Sequence, residues 1–207
     1  VIQSAGEKAF CAGGDVAEIP EVDYSLEYFT ETWEDLFEAM RSSGVPTITK
    51  VDGITLGGGF DLMLHSDFVV AAEDARIGQP EVDLGIVNHF SPPKLLQQVG
   101  FRKTMELLMT GETISGTEAE EIGLVTRSVP RGELDAEIDS LVGTLVNKSP
   151  RILGKIKKGL YTSTDLSPTA AKAHMERVSL ESAREDPDYR EGVDAQLEDR
   201  DPEWTVE

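Results

Sequence analysis

The chain has 207 residues, with 19 Lys and Arg against 39 Asp and Glu, so its formal net charge at pH 7 is −20. Nucleic acids and anionic membranes bind basic surfaces, and this composition therefore argues against both as partners. It fits a cytoplasm of very high salt, since repulsion between carboxylates is screened within about 3 Å at 1 M salt. The alternative is an ordinary acidic protein of a mesophile.

The length is sufficient for one sizeable core, with room for a small additional region. The single cysteine, Cys11, excludes an internal disulfide. The sequence shows neither a basic leader followed by an apolar stretch nor an apolar run of about 18 residues, so we expect no signal peptide and no membrane span.

The first half of the chain alternates strand-like and helix-like segments. Residues 1–4 form a strand-like run, and residues 26–40 carry apolar residues at spacings of three and four with carboxylates between them, which predicts an amphipathic helix. A strand over residues 45–51, a helix from the glycines to about Ser66 and a buried strand over residues 68–72 follow. This succession predicts a mostly parallel α/β fold.

The second half becomes helical. Thr117–Glu120 has the spacing of a capping box, residues 124–129 are strand-like and residues 133–147 predict an amphipathic helix. Ser149 and Pro150 predict the start of a new helix, because Pro is favoured at the first helical position. We therefore predict an α/β core over residues 1–148 and a helical region over residues 149–207.

Two glycine turns suggest chemistry. Gly57, Gly58 and Gly59 separate a strand-like run from a helix-like run, and the first N–H groups of a helix have no intrahelical partner. Such groups can bind an oxygen that gains negative charge. A second turn contains Gly13 and Gly14, so two turns together could supply the two donors of an oxyanion hole.

Four segments, in order, carry a family resemblance: KAFCAGGD (8–15), GITLGGGFDLMLHSD (53–67), ARIGQPEVDLGI (75–86) and MTGETISGTEAEEIGLV (109–125). They resemble the enoyl-CoA hydratase/isomerase, or crotonase, family. The resemblance implies a spiral of repeated ββα turns whose opening strands and helix are missing here. It also implies a helical C-terminal region that packs on neighbouring subunits, as a homotrimer or a dimer of trimers.

The resemblance also implies a site. The amides of Gly14 and Gly58 would bind the thioester oxygen of an acyl-CoA, Asp61 would be one acid/base group, and Glu81 would donate a proton to carbon. The residues expected to contact CoA are Lys8, Ala12, Asp15 and Gly57. CoA is part of the substrate, and no further cofactor and no metal is implied.

Two positions depart from the typical hydratase pattern. Asp61 stands where hydratases carry Glu, which makes the segment resemble the dienoyl-CoA isomerase branch. His89 stands where isomerase and dehalogenase branches place a catalytic Asp, and it could act as a general base or only bond the acyl group. A basic group at 148–158 could meet CoA phosphates or pair with acidic neighbours.

The sequence therefore predicts a cytoplasmic enzyme that hydrates a 2-enoyl-CoA thioester. Three alternatives remain open at this point. They are an enoyl- or dienoyl-CoA isomerase, a non-catalytic acyl-CoA-binding relative, and a hydrolase of thioesters or C–C bonds with His89 as its base.

Overall fold

The computed structural model describes residues 1–6, 8–25 and 27–205. Its internal contacts divide the chain into two compact units. The first comprises Val1–Met40 and Thr47–Asp139, and the second comprises Arg41–Pro46 and Ser140–Glu207.

Seven strands and eight α-helices are formed by the described residues. The strands are β1 (Ala9–Cys11), β2 (Ile48–Val51), β3 (Ile54–Leu56), β4 (Phe68–Ala72), β5 (Arg76–Gly78), β6 (Thr113–Ile114) and β7 (Arg127–Val129). The helices are α1 (Glu27–Ser42), α2 (Gly58–Leu64), α3 (Ser91–Thr110), α4 (Gly116–Glu121), α5 (Leu134–Val146), α6 (Pro150–Thr164), α7 (Pro168–Glu185) and α8 (Pro187–Glu198).

The strands form two small sheets, both in the first unit. One has the order β1-β3-β5-β6, and the other has the order β2-β4-β7. Every pairing is parallel except the one between β5 and β6. The prediction of a mostly parallel α/β fold is confirmed.

Burial explains why the central strands read as continuous apolar runs. In β4, Val70, Ala71 and Ala72 are fully buried, as is Val51 at the end of β2. A parallel strand covered on both faces exposes neither face to water, so it shows no alternation of polar and apolar residues.

Backbone contacts set the position of α2 against β1. A Cβ added at Gly59 would lie 2.1 Å from the Cys11 carbonyl oxygen, and one added at Gly53 would lie 2.6 Å from the Lys8 carbonyl oxygen. No side chain fits at either distance. Glycine is therefore required for the first turn of α2 to rest directly on β1.

The second unit is helical. Ser149 caps α6 by accepting the Ile152 N–H at 3.1 Å, with Pro150 as the first helical residue, as predicted. Arg151 and Lys155 both pair with the buried carboxylate of Asp186, at 3.3 and 2.8 Å. Part of the basic group at 148–158 is thus paired with an acidic neighbour.

No helix in the described ranges is long and apolar enough to cross a membrane.

Several element boundaries differ from the sequence predictions. The predicted strand over residues 1–4 reduces to one bridge between Ile2 and Thr49. Leu26, the first residue of the first predicted helix, lies outside the described residues. The prediction of a capping box that starts at Thr117 was wrong. The capping box starts at Ser115, which accepts the Glu118 N–H, while the Glu118 carboxylate accepts the Ser115 N–H. Thr117 already lies within α4, so its hydroxyl is not at the cap.

We predict that Gly59→Ala lowers the free energy of unfolding by about 1–3 kcal/mol or more, because the new methyl group must displace the β1 backbone. Gly143→Ala is the matched control within another helix, since a Cβ there meets nothing within 4 Å. It should stabilise by about 0.5–1 kcal/mol through helix propensity. Urea unfolding measures both variants, and equal effects would contradict the close contact.

Candidate active site

A cavity of about 230 Å³ lies in the first unit. Its wall combines glycine turns, three carboxylates (Asp15, Asp61 and Glu81) and apolar side chains. The apolar residues of the wall include Val16, Ile19, Trp33, Leu56, Leu84, Ile86, Val87 and Phe90. A concave apolar site with few convergent polar groups is typical of small-molecule binding.

The two glycine turns meet at this cavity. Gly13 has a φ of 93°, and a Cβ on it would lie 2.9 Å from the Gly58 nitrogen. Gly14 and Gly58 both line the cavity. In the part of the chain that the structure describes, neither of their amides donates a backbone hydrogen bond. The wall of one cavity thus carries two main-chain N–H groups that could serve as the donors of an oxyanion hole.

Asp61 lies on the first turn of α2 and is only 2% exposed. Its Oδ1 accepts from Gln79 Nε2 at 2.9 Å and from the Ser91 hydroxyl, and its Oδ2 accepts from Asn88 Nδ2 at 2.8 Å. Burial, and to a lesser extent the charge of Glu81, raises the pKa of Asp61 and the three donors lower it, so that the pKa lies at about 6 instead of 3.8. Asp61 is therefore mainly ionised at pH 7.

Glu81 follows Pro80 in a short 3-10 helix (Pro80–Leu84) beside the glycine junction. A Cβ added at Gly57 would lie 3.5 Å from Glu81 Oε1, and that oxygen accepts from Asn88 Nδ2 at 3.0 Å. The other oxygen, Oε2, is buried and accepts no hydrogen bond from the residues described. Glu81 thus brings one unpaired oxygen to the site.

His89 lines the same cavity but is exposed. Its Nε2 lies 3.5 Å from Thr30 Oγ1, and its ring contacts that of Phe90, tilted by 36° with the centroids 4.0 Å apart. The hydrogen bonds of Asp61 and Glu81 given above do not involve it. Its predicted catalytic role therefore stays a prediction.

The expected CoA contacts fall into two groups. Ala12, Asp15 and Gly57 line the cavity, and the Asp15 carboxylate also accepts the Ala17 N–H at 2.9 Å. Lys8 lies just before β1, is exposed and stands outside the set of lining residues. Apart from Lys8, the predicted site residues come together around one cavity. No cluster of three or more His, Cys, Asp and Glu within the described ranges could hold a metal ion.

Comparison with known proteins bears on this geometry. The sequence model described as enoyl-CoA hydratase/isomerase matches residues 1–207. The chain belongs to the enoyl-CoA hydratase/isomerase family. Within that family it is 33% identical over 209 residues to a probable enoyl-CoA hydratase of Mycobacterium tuberculosis, covering 99% of this chain and 79% of the relative. It is 32% identical over 206 residues to crotonyl-CoA hydratase of Syntrophomonas wolfei, covering 97% and 77%.

A solved structure of the enoyl-CoA hydratase/isomerase family has the same fold as this chain. The enoyl-CoA hydratase of Mycobacterium smegmatis superposes with a TM-score of 0.88 at 32% identity, covering 95% of this chain and 77% of that one. The crotonase-like fold expected from the resemblance is therefore confirmed.

Three polar residues of this family member's site were not singled out in the sequence. Gln79, Asn88 and Ser91 each donate a hydrogen bond to Asp61. Gln79 directly precedes Pro80 and Glu81, while Asn88 adjoins His89, so proximity in sequence was the available signal. Ser91 is the first residue of α3, and its hydroxyl donates to Asp61.

The raised pKa of Asp61 predicts a specific pH dependence of stability. Between pH 3.8 and about 6 the folded state binds more protons than the unfolded state, so stability falls as pH rises through this range. A shift of about 2 pK units corresponds to about 3 kcal/mol. We expect the free energy of unfolding of Asp61→Asn, relative to that of the unsubstituted protein, to increase by about that amount between pH 4 and pH 7.

Urea unfolding at a series of pH values measures this difference. Glu120→Gln is a control of opposite sign, because hydrogen bonds from Ser128 hold the pKa of Glu120 below its usual value. The free energy of unfolding of Glu120→Gln, relative to that of the unsubstituted protein, should fall as pH rises. A flat Asp61→Asn difference between pH 4 and pH 7 would contradict the burial of an ionised Asp61.

Proposed function

We propose that this chain adds water across the double bond of a 2-enoyl-CoA thioester. One observation carries the proposal: Asp61 and Glu81, held by the same amide group, share a cavity with the free amides of Gly14 and Gly58. Hydration needs both parts, because a thioester carbonyl must be polarised while protons move at two carbons. The names of the hydratase relatives support the same reaction class.

The two amides would act on the thioester oxygen. As water attacks the β-carbon, negative charge moves onto that oxygen in an enolate-like transition state. Donors fixed in place stabilise this charge without reorganising, and removal of one such donor typically costs about 10² to 10³ in rate. The absence of a side chain on Gly58 lets the Trp33 ring lie against it, since an added Cβ would come within 2.9 Å of that ring.

The two carboxyl groups would divide the proton transfers. Asp61, ionised at pH 7, takes a proton from water as the water oxygen bonds the β-carbon. Glu81 delivers a proton from Oε2 to the α-carbon, and the product is a 3-hydroxyacyl thioester. A proton returns from Asp61 to Glu81 before the next turnover, and each acid or base contributes about 10² to 10⁴ in rate.

The surrounding residues would hold the rest of the substrate. We assign Ala12, Asp15 and Gly57 to the CoA portion on the strength of their place in the cavity wall, and Lys8 by family resemblance. His89 would face the acyl group, as a base or as a hydrogen-bond partner. No cofactor besides the CoA of the substrate is proposed.

Assembly and setting are part of the same proposal. We infer a homotrimer or a dimer of trimers, because the family resemblance extends into the C-terminal helices. We also infer a cytoplasm of high salt from the net charge of −20.

Repulsion between the acidic side chains predicts that the unfolding temperature rises as KCl increases from 0.1 to about 3 M, since the screening length falls from about 10 Å to below 3 Å. An unfolding temperature that stays constant or falls over this range would contradict that interpretation.

The reaction predicts loss of the absorbance of the conjugated thioester when crotonyl-CoA is mixed with the protein in concentrated KCl. Glu81→Gln should lower kcat by about 10² to 10⁴, because the amide cannot deliver the proton. Glu121→Gln alters an exposed carboxylate on α4 and is the matched control, with kcat expected to remain unchanged. Full activity of Glu81→Gln would overturn the assignment of the proton donor.

Other outcomes of the same assay identify the alternatives. Conversion of 3-enoyl or dienoyl thioesters without hydration would indicate an isomerase, which Asp61 in place of Glu favours. Tight acyl-CoA binding without turnover of any thioester would indicate a non-catalytic relative. Release of free CoA thiol that His89→Ala abolishes would indicate hydrolysis.

A further inference from the structure

Asn88 lies between the two carboxylates. Its Nδ2 is 2.8 Å from Asp61 Oδ2 and 3.0 Å from Glu81 Oε1. A side-chain amide carries two N–H donors, and these distances allow one for each carboxylate. Asn88 is therefore the direct hydrogen-bonded link between the two groups assigned to proton transfer.

The orientation of this amide is fixed from its other side. Asn88 Oδ1 accepts the N–H groups of Phe90 and Ser91, at 2.8 and 3.1 Å. These amides lie at the start of α3, where N–H groups lack intrahelical acceptors. Because the oxygen must face the helix start, the nitrogen must face the carboxylates.

The hydrogen bonds leave the four carboxylate oxygens unequal. Asp61 Oδ1 has two donors, and Asp61 Oδ2 and Glu81 Oε1 each accept from Asn88. Glu81 Oε2 is buried and accepts none from the residues that are described. Asn88 thus engages one Glu81 oxygen and leaves the other without a protein donor.

We propose that Asn88 is a positioning residue that clamps Asp61 and Glu81 with one amide and presents Glu81 Oε2 as the oxygen that exchanges a proton with the substrate. Its catalytic consequence rests on the function proposed above. The clamp itself is a property of the folded chain and can be measured without turnover.

A purely structural role for Asn88 makes a different prediction. To begin α3, the side chain needs only an acceptor, so a carboxylate would serve equally well. Asn88→Asp has nearly the same shape, keeps that acceptor and replaces the donor by a second acceptor. This substitution therefore separates the two roles.

The first experiment measures kcat and KM for crotonyl-CoA in Asn88→Asp. The new carboxylate repels both partners, so we expect kcat to fall about 10²-fold, the size of effect that a displacement near 1 Å produces. KM should change by less than about threefold, because the substrate contacts remain. Asn147→Asp is the matched control, since Asn147 is exposed in the helical unit and its Nδ2 donates to the Gly143 carbonyl oxygen, far in sequence from the site.

The second experiment measures the titration of Asp61 and needs no turnover. Asn88→Ala removes a donor that lowers the pKa of Asp61. Asp61→Asn is introduced once in the Asn88→Ala variant and once in the protein that retains Asn88. The free energy of unfolding that Asp61→Asn adds should keep growing to a higher pH in the Asn88→Ala variant. Urea unfolding from pH 4 to pH 9 gives both curves.

The proposal predicts both results together. It is overturned if Asn88→Asp keeps kcat within about threefold of the unsubstituted protein, or if Asn88→Ala leaves the titration of Asp61 unchanged. If the unsubstituted protein does not hydrate crotonyl-CoA, the proposed function fails, and the titration alone decides whether the clamp exists.

Discussion

The site depends on backbone lying directly against backbone. The turn after β1 reaches the first residues of α2 so closely that a Cβ at Gly59 would lie 2.1 Å from Cys11 O, and one at Gly13 would lie 2.9 Å from Gly58 N. This contact places two amides without intrahelical partners beside the same cavity. Neither amide could be positioned in this way if the chain carried a side chain at either glycine.

Burial and the hydrogen bonds to Asp61 together set the charge state of the site. Removing Asp61 from water raises its pKa, and three donors limit the rise to about 6. Burial changes this pKa more than any single hydrogen bond does, yet the donors together keep the group ionised at neutral pH. A buried carboxylate with a pKa this close to neutrality is suited to accept and return a proton.

Sequence patterns predicted those parts of the fold that follow from local chemistry. Continuous apolar runs located β2 and β4, a Ser-Pro pair located the start of α6, and the glycine turns located the cavity. The hydrogen-bond network escaped prediction because Gln79, Asn88 and Ser91 meet Asp61 across 18 to 30 positions of chain. No periodicity reports a contact made by side chains from three separate elements. The capping box was misplaced for a local reason, since two overlapping segments fit the same four-residue spacing.

The wall of the cavity also contains an optical reporter. The Trp33 ring lies against Gly58, where an added Cβ would come within 2.9 Å of it, whereas Trp204, the other tryptophan of the chain, belongs to the helical unit and donates to Asn147 O. Replacing Trp204 by Phe would leave a single indole next to the amide assigned to the thioester oxygen. The intrinsic fluorescence of that variant would then follow occupation of the cavity without any label.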